Sequence, residues 1–418
     1  MVARLLYPGA SLITLDNGLR ILVEEVPQSR SVSVGLWIHA GARDDPGPAP
    51  GLAHVVEHLV FKGTARRDAA QISREIDAVG GHLNAATSRE ATYFYVDAPA
   101  DGLLTAVDVL TDLVFRPAFE PSKIDLERSV VLEEIRGHED DPEQLAFDQF
   151  IANVWPEEHP LSRPILGTAE SILALKRETI AGHHHAYYHP ANAVLSAAGA
   201  VDPEALADVV RKAIPQPSHN PAPAERTPAT IRPGRFHHPS PTGQTHIYYG
   251  LPGPSAMDED RFSLEVVNAV LGDGTSSRLF QTIREERGLA YAVGSSVSRY
   301  TDSGIWMLYA GTSPAAAPEV LELIEGELRR LRTEPISDEE IALAKAGLRG
   351  AFILSLESNG SRSSRLGNAA VRQLEILSPD DVLAKLDAIS RDDLARTIDR
   401  YLRPEALHLT VVGPDNPL

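Results

Sequence analysis

The chain contains no cysteine. Disulfides and thiolate metal sites are therefore closed to it, and any metal must be held by histidine and carboxylate. Lysine is scarce, with Lys62, Lys123, Lys176, Lys212, Lys345 and Lys385 the only six among 39 basic residues. Genome composition and heat adaptation would each produce that bias toward arginine. An excess of positive charge is missing too: 58 acidic side chains leave a formal net charge of -19. This argues against nucleic acid as a partner and fits either a field that attracts basic ligands or solubility alone. No apolar run reaches the about 20 residues that span a membrane. The opening stretch MVARLLYPGASLITLDNG lacks a sustained apolar core followed by a cleavage site. A soluble, cytoplasmic protein with no membrane partner is expected. What is present is ordinary for a globular protein, and 418 residues are enough for two or more domains, each with its own core.

SLITLDNGLRILVEEV holds two short alternating apolar runs around Asp16-Asn17-Gly18 and predicts a β-hairpin with a tight turn. Ser31–Ala42 reads as a further strand, followed by a Pro/Gly loop and a helix within Gly51–Thr64. A second helix is expected over Asp68–Val79, ending at Gly80-Gly81, then strands at His82–Ser88 and Ala91–Pro99. Helices follow at Asp101–Phe115, Pro121–Glu139 and from Pro142 to Ala152. A strand at Ala193–Val201 and a helix at Pro203–Ala213 close this half. Ile214–Pro241 is dense in proline and has no sustained period, so it reads as a semi-extended linker.

Beyond the linker the order of elements recurs. THIYYGLPG answers SVSVGLWIHAG, GIWMLYAGT answers ATYFYVDAP at an offset of 213, and LTVVGPD answers LSAAGAVD at 214. A constant offset points to an internal duplication. The expected class is α+β: two homologous sandwich-like halves, each an antiparallel-rich sheet with helices packed on it. Residues 1–213 would form the first domain, 214–241 the Pro-rich linker and 242–418 the second domain. The helix answering the motif helix, about Asp260–Leu271, carries Val267, Asn268 and Ala269 and no histidine.

Within GLAHVVEHLVFKGT, a helix places His54 and His58 one turn apart on one face, with Glu57 on the edge of that face. Two neutral imidazoles so placed grip one Zn²⁺ with a carboxylate beside the open position, the H-x-x-E-H order. A third ligand is offered by Pro121–Glu139, where Glu127, Val130, Val131, Glu134 and His138 share a face at spacings of three, four and seven. Two carboxylates on an apolar stripe are costly to bury unless they meet a cation or a charged hydrogen-bond partner. Glu133 lies about 100° round the helix from Glu134 and is the poorer candidate. A partly solvated face with no metal is the alternative.

His54, Glu57 and His58, with Glu134 seventy-six positions beyond His58 and Glu127 seven before Glu134, resemble the pitrilysin/insulinase family of inverted-motif zinc metallopeptidases. The similarity continues through GGHLNAATSREATYFY, ERSVVLEEI and LGDGTSSRLFQTIREERGLAYAV, and so covers nearly the whole chain. It is closest in type to short two-domain subunits similar to those of the mitochondrial processing peptidase and their bacterial relatives. The resemblance implies that His54, His58 and Glu134 hold one zinc per chain, with Glu57 as general base and Glu127 orienting a zinc-binding histidine. It implies that Asn84 and Ala85 form an edge to which a substrate peptide adds as a strand. Arg284 and Tyr291 would reach the active site from the opposite wall of a closed chamber, holding substrate and stabilising the oxyanion. One chain supplies two of the four domains such a chamber needs, so a homodimer, or a heterodimer with a related subunit, is implied.

The functional expectation is a zinc endopeptidase acting on short or unfolded peptides. The alternatives are a processing peptidase removing leader segments and a non-catalytic assembly subunit. His183-His184-His185 is expected at the surface rather than as a second metal site, since consecutive helical residues point in three directions.

Overall fold

The structure, a computed structural model, describes residues 3–214 and 226–418. Residues 215–225 of the expected linker lie outside the described residues. The strands are β1 Arg4–Tyr7, β2 Ala10–Thr14, β3 Arg20–Glu25, β4 Ser31–Ile38, β5 His82–Thr87, β6 Thr92–Pro99, β7 Ala193–Gly199, β8 Gly234–Pro239, β9 Thr245–Pro252, β10 Ala290–Arg299, β11 Gly304–Thr312 and β12 His408–Gly413. The first-half helices that matter most here are α1 Leu52–Val60, α2 Ala69–Ala78, α3 Leu103–Phe115, α4 Pro121–Asp140 and α5 Pro142–Val154.

Among the described residues the strands form two sheets, ordered β1-β2-β3-β7-β4-β6-β5 and β10-β11-β9-β12-β8. The duplication is visible in this order. β5-β6-β4-β7-β3 and β10-β11-β9-β12-β8 have the same sequence of neighbours, antiparallel except for the last pair, β3 with β7 and β8 with β12, which is parallel. The hairpin β2–β3 turns where expected, with Gly18 at φ +88° and the Asn17 Oδ1 accepting from Leu19 N at 3.2 Å. β8 occupies part of the stretch expected as linker: despite its prolines at either side, Gly234–Pro239 pairs along β12.

The chain divides into two compact units that do not follow the sequence boundaries 213 and 242. Of the described residues, the first comprises 3–136, 163–214 and 353–378, and the second 137–162, 226–352 and 379–418. Helix α5 therefore belongs to the second unit, where Ala146, Phe150 and Val154 pack with Tyr248 and Ile305. The helix Asn359–Val371 belongs to the first unit, where Leu366, Ala370 and Val371 pack on Leu22, Trp37 and Val194. In the first unit β4 and β7 are buried on both faces and read as near-continuous apolar runs, while α1 and α3 cover the opposite face of the sheet.

Charge holds the returning helix in place. Glu24 on β3 is only 4% exposed and accepts from Arg362, from Arg365 at 2.9 Å and from the Tyr7 hydroxyl at 2.9 Å. Arg20 on the same strand donates to Ala370 O at 2.9 Å. Replacing Glu24 by Ala leaves two arginines without their shared acceptor in a low-dielectric site. We expect a loss of about 3 kcal/mol in denaturant unfolding, with amide-exchange protection falling first in Asn359–Val371. Unchanged protection of that helix would show that apolar packing alone retains it.

Candidate metal centre

Helix α1 is set by what precedes it. Gly51 sits at φ +88°, and a Cβ there would lie 2.6 Å from Leu166 O, so glycine is required at this close approach. The helix has no capping side chain at Gly51 itself. Asp45, buried in the preceding loop, does the work instead, with Oδ2 accepting from Gly51 N at 2.8 Å and Oδ1 from Ala53 N at 2.9 Å. These bonds satisfy otherwise orphaned N–H groups of a first helical turn, while burial pushes the Asp45 carboxyl up to about 8.

His54 and His58 then emerge on one face with ring centroids 4.5 Å apart. Helix α4 brings Glu134 against them: Oε2 lies 3.6 Å from His54 Nε2 and 3.5 Å from His58 Nε2. One donor atom from each of the three residues lies within 4.8 Å of the others, and this is the one such group among the described residues. The separations exceed an ordinary hydrogen bond. They match the edges of a tetrahedron with metal–ligand bonds of about 2.1 Å, whose edges are about 3.4 Å. Two imidazoles and a carboxylate also suit zinc chemically, so the residues fit the ion that the resemblance implies.

The remaining expected residues fall as follows. Glu127, on the buried stripe of α4 with Ile124, Val131 and Ile135, places Oε1 2.9 Å from His58 Nδ1. Val130, expected on that face, is instead 45% exposed, because it lies a further 100° round the helix from Val131. Glu133 points to solvent and pairs with Arg136. Glu57 is 9% exposed and accepts a hydrogen bond from Thr87 Oγ1 at 2.5 Å. Asn84 and Ala85 lie on β5, the terminal strand of its sheet, and Ala85 N donates to Asn84 Oδ1 at 2.8 Å. Arg284 and Tyr291 belong to the second unit. Arg284 lies in a π-helical turn, Phe280–Glu285, with its guanidinium 5.0 Å from the ring of Tyr291, which is 80% exposed and so not a core residue. The two line a cavity of about 430 Å³ with Glu143, Phe147, Tyr248 and Tyr309.

The histidine tract is at the surface only in part: His185 is exposed, whereas His184 is half-buried and His183 buried. His183 is buried, and His184 donates to Val114 O at 2.8 Å and stacks on Tyr188. Burial pushes both imidazoles down to about 4, so they are neutral core residues. The helix Arg177–Tyr187 is packed on α1, and of the three consecutive histidines only His185 is exposed. Sequence reading missed Thr87 and Asp45. Thr87 carries no motif signal, and Asp45 acts from six residues before the helix it caps.

Fold and donor set together define a two-unit α+β protein with, among the described residues, one His-His-Glu group in the first unit that could hold a metal ion. The chain belongs to the insulinase family of peptidases: the model described as Insulinase (Peptidase family M16) matches residues 20–169, and that described as Peptidase M16 inactive domain matches residues 174–348. It is 37% identical to an uncharacterized zinc protease of Streptomyces coelicolor, over 96% of this chain and 89% of that one. An uncharacterized zinc protease of Mycobacterium leprae is 36% identical over 97% and 92%, and one of Bacillus subtilis 33% identical over 96% and 97%. The fold superposes on a Pseudomonas fluorescens structure titled as a peptidase M16 inactive domain with a TM-score of 0.90, at 21% identity over 97% and 98% of the two chains. A Helicobacter pylori protease gives 0.87 at 21% identity over 96% and 99%. No helix of the described residues is long and apolar enough to cross a membrane.

The electrostatics of the metal-free site are mutually dependent. Burial raises the Glu57 pKa, opposed by the Thr87 hydrogen bond and the charge of His58. Burial disfavours a charged His58, yet the hydrogen bond to Glu127 and the charges of Glu57 and Glu134 outweigh it and raise its pKa. Glu127 is held low despite its burial by hydrogen bonds from His58 and Lys62. A raised His58 pKa means that the folded metal-free chain holds this proton to higher pH than an ordinary imidazole. Its contribution to stability is complete below about 6.5 and is lost as the pH climbs through the folded value. Zinc must displace the same proton, so zinc affinity rises with pH over that window. Calorimetric titration at pH 7 in buffers of different ionisation enthalpy should show proton release on binding. No release would contradict the raised His58 pKa.

Proposed function

We propose that the protein is a zinc-dependent endopeptidase. The observation that carries this is the convergence of His54, His58 and Glu134 beside Glu57, a buried carboxylate fixed by its own hydrogen bond and outside the donor set. His54 Nε2, His58 Nε2 and a Glu134 oxygen would hold the ion. Bound there, zinc would lower the pKa of a water to about 7 and polarise the scissile carbonyl. Glu57 would take the proton of the attacking water and deliver it to the leaving amine; its raised pKa brings it toward the range where one group serves as both base and acid. Thr87 would keep one Glu57 oxygen engaged and leave the other for the water. The acyl oxygen that gains charge would be met by the Tyr291 hydroxyl and Arg284.

Substrate would add to the free edge of β5, exchanging the Asn84 side-chain contact at Ala85 N for a main-chain hydrogen bond. Main-chain pairing favours extended, unfolded peptides with little sequence preference. That supports a degradative endopeptidase over a processing peptidase selective for leader segments, and the intact donor set weighs against a non-catalytic assembly subunit. The relatives named zinc proteases agree with the general reading.

Zinc and Arg284/Tyr291 would meet across a homodimer, each chain supplying the zinc of one site and the opposite wall of the other, inside a closed cytoplasmic chamber. Glu57→Gln should retain one zinc per chain and lose about 10³-fold or more in peptide cleavage. An unmodified chain without zinc would remove the proposal. Tyr291→Phe should be strongly impaired as well. Equal mixing of these two variants should restore about a quarter of the unmodified activity, because half of the dimers then contain one intact site of two. No recovery on mixing would place both groups in the same chain's site or in a heterodimer.

A further inference from the structure

We infer that Lys62 is a positioning residue for the metal centre: its ammonium fixes Glu127 so that the carboxylate accepts from His58 Nδ1–H and turns His58 Nε2 toward the ion. The inference rests on the zinc reading above and adds a residue outside the histidine-glutamate motif. Lys62 follows the end of α1 by two residues. Its Nζ lies 2.7 Å from Glu127 Oε2, while the other oxygen, Oε1, lies 2.9 Å from His58 Nδ1. Glu127 is 2% exposed. A carboxylate buried so far needs cationic or donor partners on both oxygens. With Oε2 engaged, Oε1 is left to accept from the imidazole. An imidazole donating through Nδ1 carries its lone pair on Nε2, the atom 3.5 Å from Glu134 Oε2.

The ammonium is itself held in place. The loop that carries it is tied to α3, where the Asp112 carboxylate, fully buried, accepts from Thr64 Oγ1 at 2.8 Å and from Arg67 Nη1 at 2.9 Å. Ala118 N donates to Gly63 O at 3.0 Å on the other side of the loop. A chain of contacts thus runs from the α3 acid through the loop to Lys62, Glu127 and His58.

The choice of lysine is informative, because only six of the 39 basic residues are lysine. A guanidinium presents a planar fork that takes both oxygens of a carboxylate. At this position it would compete with His58 Nδ1–H for Oε1. An ammonium on a flexible stem engages one oxygen and leaves the other.

The test measures zinc affinity by chelator competition, with metal-free thermal unfolding alongside, for Lys62→Met, Lys62→Arg, Glu127→Gln and the double variant K62M/E127Q. Lys62→Met should weaken zinc about 10- to 100-fold in a metal-free chain that still folds, its Tm lowered by the loss of the cation on Glu127 Oε2. Lys62→Arg should weaken it too. In the Glu127→Gln background, Lys62→Met should cause little further loss, because Lys62 acts through that carboxylate. If Lys62→Met does not fold, Lys62→Gln, which keeps a neutral donor, should give a smaller loss in the same direction. Unmodified affinity in Lys62→Met, losses that multiply in the double variant, or a zinc loss matched by a collapse of the metal-free Tm would each overturn the inference. Failure of the unmodified chain to bind zinc would instead refute the metal reading on which it rests.

Discussion

The burial of one carboxylate organises the metal centre. Glu127 can sit in the apolar stripe of α4 only because an imidazole and an ammonium meet its two oxygens. That requirement fixes the rotation of α4 against α1, and the same rotation carries Glu134, seven residues on, to the two imidazoles. Two turns of α-helix nearly restore the starting direction, so a residue in the buried stripe and a ligand at its margin can share one helix face. Glu134, at the margin, remains open enough to bind from solvent, whereas Glu127 does not. The distinction between the proposed ligand, Glu134, and the group proposed to orient another, Glu127, is thus a matter of depth along one face.

Much of this was legible in the sequence, for identifiable reasons. The His54/His58 pair and its relation to Glu57 are local, set by helical period alone. The duplication was legible because β-strand composition survives where side-chain chemistry does not: β9 and β11 still read like β4 and β6 although the helix Arg261–Leu271 has Asn268 bonded to Trp306 rather than a metal-binding face. The exchange of α5 and Asn359–Val371 between the units was not legible. Both are ordinary amphipathic helices, and periodicity says which face is buried but not against which sheet. Thr87 and Lys62 were passed over because single polar residues with no spacing pattern are recognisable only once the chain has brought their partners to them. The histidine tract misled for a related reason: neutral imidazole packs as readily as a small aromatic ring once a carbonyl such as Val114 O takes its N–H.

The comparison of the two sheets shows how a repeated fold is specialised. Both keep the parallel pair and the antiparallel meander beside it. The first adds the hairpin partner β2, antiparallel to β3, and keeps β5 as a bare short edge; among the described residues β8 has no such neighbour. In the second unit the position equivalent to β5 is β10, ten residues long, whose second residue is the exposed Tyr291. The same architectural edge is a short terminal strand in one unit and a platform for an aromatic side chain beside an arginine in the other.

The discontinuity of the first unit has a consequence for how the protein is made. Its last strand, β7, ends at Gly199, but the helix that covers Leu22, Trp37 and Val194 ends at Val371. At about 5 to 20 residues per second those intervening residues take roughly 10 to 30 s to appear. Until that helix is made, the apolar face formed by Leu22, Trp37 and Val194 has no covering segment, and the first unit cannot complete its packing before most of the second has been synthesised.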